Sequence, residues 1–197
     1  NKGQAFKVFA AENNDFSEVI WFYPVGTDNT EITNYVSYNY AENLWAVGTL
    51  DRGAWIGYSQ NSNPIASSVN TGVTDANFLY NHETGFDDDG SAMNAFVESG
   101  DLEIGEGDRL MMISRIVPDF KFSGLTSDAS VDFTIKGSNF PLETPTTQAT
   151  ATVTSSTTQS NIRTRARHAV VRIESSGLGY GWRLGDLRFD MRQDGRR

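Results

Sequence analysis

The chain has no cysteine among its 197 residues. No disulfide framework can staple it, and no thiolate can act as a nucleophile or metal ligand. Histidine is almost as scarce. The two that occur, His82 and His168, fall in strand-like runs with no nucleophile beside them, so each is expected to be a hydrogen-bonded strand residue rather than a general base. Nothing approaches the ~18 to 20 consecutive apolar residues that cross a bilayer as a helix, and no basic-then-apolar leader opens the sequence. No membrane-spanning segment is therefore expected. No stretch carries the apolar period of an amphipathic helix either. Basic residues are outnumbered: the formal charge is −9. Such a chain is poorly suited to wrapping DNA, whose affinity comes from Lys and Arg neutralising phosphates, but it suits a surface that DNA slides past. The first residue is Asn1 rather than Met, which raises the expectation of a piece of a longer protein.

What the sequence does hold is short β-runs separated by turns. Val19 to Pro24 (VIWFYP) is apolar or aromatic throughout, the pattern of a strand covered on both faces. A turn through Gly26, Thr27, Asp28 and Asn29 follows, then Asn34 to Tyr40 and Leu44 to Leu50, joined by Ala41-Glu42-Asn43 as a hairpin. Three close antiparallel strands of this kind predict a β-propeller blade. Residues 64 to 104 weakly repeat the plan, with a short strand at PIAS, a second from Phe78 to Glu83, the GFDDDGS turn, and a third from Met93 to Ser99.

From Gly105 the character changes. Arg109 to Phe120 reads as a strand ended by Pro118. Asp128 to Phe140 alternates Val131, Phe133 and Ile135 inward against Asp132, Thr134 and Lys136 outward, a half-buried strand of a sandwich. Thr144 to Ser160 has eleven Ser or Thr in seventeen positions and no charge; it fits a long flexible loop or a pair of edge strands around Ala149, Ala151 and Val153. The fold expected is all-β, a partial β-propeller over 1–104 followed by a β-sandwich-like region over 105–197.

The arginines gather at the end. Residues 161–197 contain nine of the chain's twelve arginines, so a basic tail of nine cations and four anions follows an acidic body. This asymmetry points toward partners rather than chemistry. Arg163, Arg165 and Arg167 recur every second residue, which in a strand puts them on one face, with Ile162, Thr164 and Ala166 on the other. After them the parity shifts to Ala169, Val171 and Ile173, as at a bulge near His168 or a strand passing from an exposed edge into a core. Tyr180, Trp182 and Leu184 alternate next, then Leu187, Phe189 and Met191, which predicts a terminal β-meander with a basic outer face. Arg163, Arg165, Arg167, Arg172, Arg188, Arg192, Arg196 and Arg197 are the candidate interface residues. The competing explanation for the arginine strand is an edge guarded by charge.

Other constellations are weaker. Asp87, Asp88 and Asp89 before Gly90 are the weak candidate for a Ca²⁺ turn, but the oxygen spacing of a calcium loop is missing and a solvated hairpin turn is the simpler reading. Glu83, Glu98 and Asp101 lie near that turn, and only their separation in space would make them a glycosidase pair. Trp21, Tyr23, Tyr35, Tyr38, Tyr40, Trp45 and Trp55 can form a stacking platform or, at strand spacing, core. No catalytic, cofactor-binding or metal residue is assigned.

Taken together, EVIWFYP, YVSYNYAENLWAVGTL, LYNHETGFDDDG, GDLEIGEGDR, RIVPDF and the closing RTRAR…VRIESSGLGYGWRLGDLRFDMRQDGRR resemble the C-terminal part of the tail hub, or nozzle, protein of short-tailed bacteriophages, the packaged-DNA stabilisation family. The resemblance implies a β-propeller with an added sandwich-like platform, assembled from identical subunits as a hexameric ring below the portal and adaptor. It implies a structural virion protein rather than an enzyme, built in the host cytoplasm. Fibre, spike or needle proteins would attach to it, and DNA would pass through its channel without sequence-specific binding. The alternatives are a tailspike-type polysaccharide hydrolase, which needs two carboxylates roughly 5 to 9 Å apart in an open groove, and a sugar-binding adhesin, which needs exposed Trp or Tyr in a row.

Overall fold

A computed structural model of the protein describes residues 2–27, 30–58, 63–69, 78–124 and 129–195. The described chain is all-β, with several antiparallel sheets, none closed into a barrel, and only short 3-10 turns at Lys2–Lys7 and Asn14–Phe16. It divides into two compact units, Asn1–Thr84 and Gly85–Arg197.

The first unit begins with four strands, β1 (Phe9–Asn13), β2 (Glu18–Tyr23), β3 (Asn34–Asn39) and β4 (Leu44–Thr49), each paired with the next. The three strands read from the sequence are β2 to β4, and β1 is an addition, its FAAEN run being too short and mixed to announce itself. Ile20 and Phe22 of β2 are buried with Ile32 and Val69, while Phe9, Tyr35, Leu50 and Trp55 pack around them. Val19, Trp21 and Tyr23 on the other face are only partly buried, so β2 is covered fully on one face rather than on both. A second sheet joins β5 (Arg52–Ile56), β6 (Ile65–Ser68) and β7 (Leu79–Asn81) in order. The expected turn at Gly26 to Asn29 lies partly outside the described residues.

The second unit holds β8 (Ala95–Glu98), β9 (Leu102–Glu103), β10 (Met111–Val117), β11 (Phe120–Gly124), β12 (Ser130–Ser138), β13 (Thr146–Thr154), β14 (Ser160–Ala166), β15 (His168–Ser175), β16 (Tyr180–Leu184) and β17 (Arg188–Gln193). These make one sheet in the order β13-β12-β15-β8, with β9 also on β15, another in the order β14-β10-β17, and the pair β11-β16. Their inner faces meet in one core of Met111, Ile113, Ile116, Val131, Phe133, Ile135, Val153, Ala169, Val171 and Ile173. Each such fully buried large side chain contributes about 1.5–3 kcal/mol of transfer free energy. The alternation expected along β12 is present: Val131, Phe133 and Ile135 are buried, and Asp132, Thr134 and Lys136 are not.

Three expectations need correction. The break between units falls at Thr84/Gly85, not at 104/105, because β8 and β9 add to β15. That also ends the weak repeat of residues 64 to 104: β6 and β7 pair, but the Met93–Ser99 run joins the other unit. The terminal strands are no meander, since β14, β15, β16 and β17 pair with β10, β12, β11 and β10 respectively. Alternation fixes which side chains turn inward; it carries no information on which distant strand supplies the hydrogen bonds. The Ser/Thr-rich segment forms β13, an edge strand whose Val153 is buried.

Candidate interface: an arginine-rich sheet face

The alternation along β14 has a physical cause. Thr164 and Ala166 are buried and Ile162 is half-buried against the core, which turns Arg163 and Arg165 to solvent. Arg167 is a bend between β14 and β15. There the chain leaves the edge of one sheet and enters the middle of another, which accounts for the parity change after the arginines.

Register extends this face across three strands. Arg165, Met112 and Arg192 form one row, and Asn161, Arg115 and Asp190 form another, while Arg188 stands beside Val117. The opposite rows, Ala166-Met111-Gln193, Thr164-Ile113-Met191 and Ser160-Ile116-Phe189, turn toward the core. A register shift between Ile113 and Arg115 lets Ile113 and Ile116 both face inward. Sequence reading missed Arg115 for that reason, as simple alternation with Ile113 would bury it.

The guanidinium groups fall into two sets. Arg115 pairs with Asp190 at 2.6 Å. The Arg165 Nε donates to Asp194 Oδ2 at 2.6 Å and its Nη2 to the Asp194 carbonyl at 3.1 Å. Arg167 donates from Nη1 to the carbonyls of Asp108 at 2.7 Å and Gly107 at 3.2 Å. Gly107 has φ +73, and a Cβ there would stand 2.7 Å from His168 Cε1, so glycine is what allows this carbonyl to be presented. Arg172 lies elsewhere, in β15. It bonds Glu174 at 2.9 Å and Glu98 at 3.5 Å and stacks over Phe96. The hydrogen bond that Arg172 donates to Glu174 raises the Arg172 pKa, and the hydrogen bond that Lys136 donates to Glu98 holds the Glu98 carboxyl below its usual range. By contrast, Arg163, Arg188 and Arg192 are exposed and make no hydrogen bond or ion pair among the described residues. Arg196 and Arg197 lie outside the described residues.

The remaining candidates separate. Asp88 and Ser91 exchange both backbone hydrogen bonds around Asp89 and Gly90, whose φ values of 46° and 81° fit a two-residue hairpin turn. Asp87 Oδ1 accepts from the Gly179 N–H at 2.6 Å, holding that turn against the β15–β16 connection. Among the described residues, no group of three His, Asp or Glu side chains is arranged to hold a metal ion. Glu83 belongs to the first unit and Glu98 and Asp101 to the second. Glu98 is tied to Lys136 and Arg172, the wiring of a surface ion network. His82 accepts from the buried Arg52 Nε at 3.0 Å and packs on Trp55, while His168 Nδ1 lies 3.2 Å from Glu103 Oε2. No helix among the described residues is long and apolar enough to cross a membrane. Neither protein-family models nor curated protein sequences give a match to this chain.

Proposed function

We propose that this chain is a structural subunit of a short phage tail, part of the hub or nozzle ring below the portal and adaptor. It works by holding neighbours around a channel rather than by turnover. The observation that carries this reading is the outer face of β14-β10-β17, where Arg163, Arg188 and Arg192 stand exposed without anions of their own on a chain of net charge −9. A head-to-tail ring needs two unlike surfaces on every subunit, and a basic face on an acidic chain supplies such a pair. Guanidinium groups suit that task because they hold carboxylates with two parallel hydrogen bonds.

In this reading the four-strand meander β1-β2-β3-β4 is one propeller blade and the sheets around the second core form the sandwich-like platform. The body is acidic toward DNA, so packaged DNA passes without strong retention. The test is to express the chain with the other tail proteins and measure ring assembly with Arg163, Arg188 and Arg192 all changed to Glu. Loss of rings with unchanged monomer stability supports the reading. Normal rings would return these arginines to the role of edge guards.

A further inference from the structure

Three carboxylates of the first unit gather at the β1–β2 turn without a cation. Asn13 and Glu18 are direct cross-strand partners, Asn13 Nδ2 donates to Glu83 Oε1 at 2.9 Å, and Asp15 sits in the 3-10 turn between the two strands. Asp15 and Glu83 are exposed and Glu18 is half-buried, and none of the three makes an ion pair among the described residues. Burial and then Glu83 raise the Glu18 pKa, so like charges face one another there with nothing to relieve them. The cluster is also short of donors. Asn13 is 1% exposed, and with its amide N–H given to Glu83 its Oδ1 has no partner. Ionised carboxylates only accept, so the complement of this cluster is a cation built of N–H donors. A single metal ion fits less well, since no three His, Asp or Glu side chains among the described residues are arranged around one.

We propose that Asp15, Glu18 and Glu83 form the surface on which the arginine-rich face of a neighbouring copy of this chain docks, which rests on the ring proposed above and names its second surface. Arg163, Arg188 and Arg192 are the counterpart: each presents N–H donors, and none has an acceptor among the described residues. Charge selects the occupant. Residues 1–84 carry nine acidic against three basic side chains, whereas residues 161–197 carry four acidic against nine basic. Two first units repel, and so do two arginine-rich ends, but a first unit and an arginine-rich end attract. Copies of this chain therefore meet by unlike surfaces, a heterologous contact that propagates until a ring closes. Carboxylates nearer the arginines in sequence are already taken, Asp190 by Arg115 and Asp194 by Arg165.

The test combines Asp15→Asn, Glu18→Gln and Glu83→Gln and compares that variant with the Arg163, Arg188 and Arg192 triple Glu variant in the same co-expression with the other tail proteins. Each should raise the concentration needed for rings by about tenfold or more, as loss of close charge pairs does, with a melting temperature no lower than wild type. If the combined acidic variant melts lower, Asp15→Asn with Glu83→Gln decides. Mixing the two variants is the direct check, because each keeps the surface that the other has lost. Sedimentation velocity at about 100 μM should show a species of twice 21.7 kDa in the mixture and in neither variant alone. Normal rings from the acidic variant, with rings lost in the arginine variant, overturn this contact and leave the ring reading standing. Normal rings from both overturn the ring reading and this contact with it. A mixture that stays monomeric also overturns the contact.

Discussion

Arg165 and Arg192 flank Met112 in one row of the arginine-rich face, yet they are not equivalent. Arg165 is held by Asp194 at 2.6 Å, whereas Arg192 makes no hydrogen bond or ion pair among the described residues. Spacing along β14 groups Arg163, Arg165 and Arg167 as one set, but geometry divides them. Arg165 and Arg167 fasten chain segments to one another, and Arg163 joins Arg188 and Arg192 as cations open to a partner.

Single substitutions should expose that division. Arg167→Ala removes hydrogen bonds to the carbonyls of Gly107 and Asp108 and is expected to cost about 1–3 kcal/mol, as charged hydrogen bonds do. Arg163→Ala should stay within about 0.5 kcal/mol of wild type. Thermal unfolding of the two proteins side by side is the check, and equal losses would mean that Arg163 has a structural partner.

Trp182 tests the inward face of β16. It packs against the second-unit core, meets Phe120 edge-on at 5.8 Å and donates from Nε1 to Ser175 Oγ at 2.8 Å. Trp182→Ala should therefore cost about 3 kcal/mol, and Trp182→Phe, which keeps most of the ring, clearly less. Denaturant midpoints at equal slopes measure the difference; an unchanged midpoint for the alanine variant would put the indole outside the core.

The inward positions of β12, β14 and β16 were legible because burial on one face imposes a period of two on the sequence. The run β2 to β4 was legible because strands adjacent in sequence pair with one another in the sheet. What stayed hidden is non-local. Phe96 and Glu98 belong with Glu174 and Arg172 of β15, and no feature of the MNAFVES run names that partner. For the same reason the closing strands read as a meander, although their partners lie in β10, β11 and β12. The candidate site was half legible: alternation placed Arg163 and Arg165 outward, but the carboxylate that occupies Arg165 is Asp194, 29 residues away.

Acid should affect the first unit with a definite sign. Burial raises the Glu83 pKa, opposed by the hydrogen bond from Asn13 and reinforced by Asp15; burial and then Glu83 raise that of Glu18. A carboxyl whose folded pKa is raised favours folding in its protonated form. Its destabilising effect is absent below the unfolded value, grows as pH rises, and is complete above the raised folded value. Glu83→Gln keeps an acceptor for the Asn13 Nδ2 donor, now at 2.9 Å, and removes the charge. The variant should melt higher than wild type at pH 7 and together with it near pH 3. A lower melting temperature at pH 7 would show that the ionised carboxylate stabilises the fold.

Electron cryomicroscopy of assembled tail particles containing this chain tests the proposed role most directly. The reading predicts a ring of identical copies around the DNA channel, with Arg163, Arg188 and Arg192 of each copy within about 4 Å of carboxylates on a neighbouring chain. Particles in which the chain forms no ring, or rings in which these three guanidinium groups face open solvent, would contradict it.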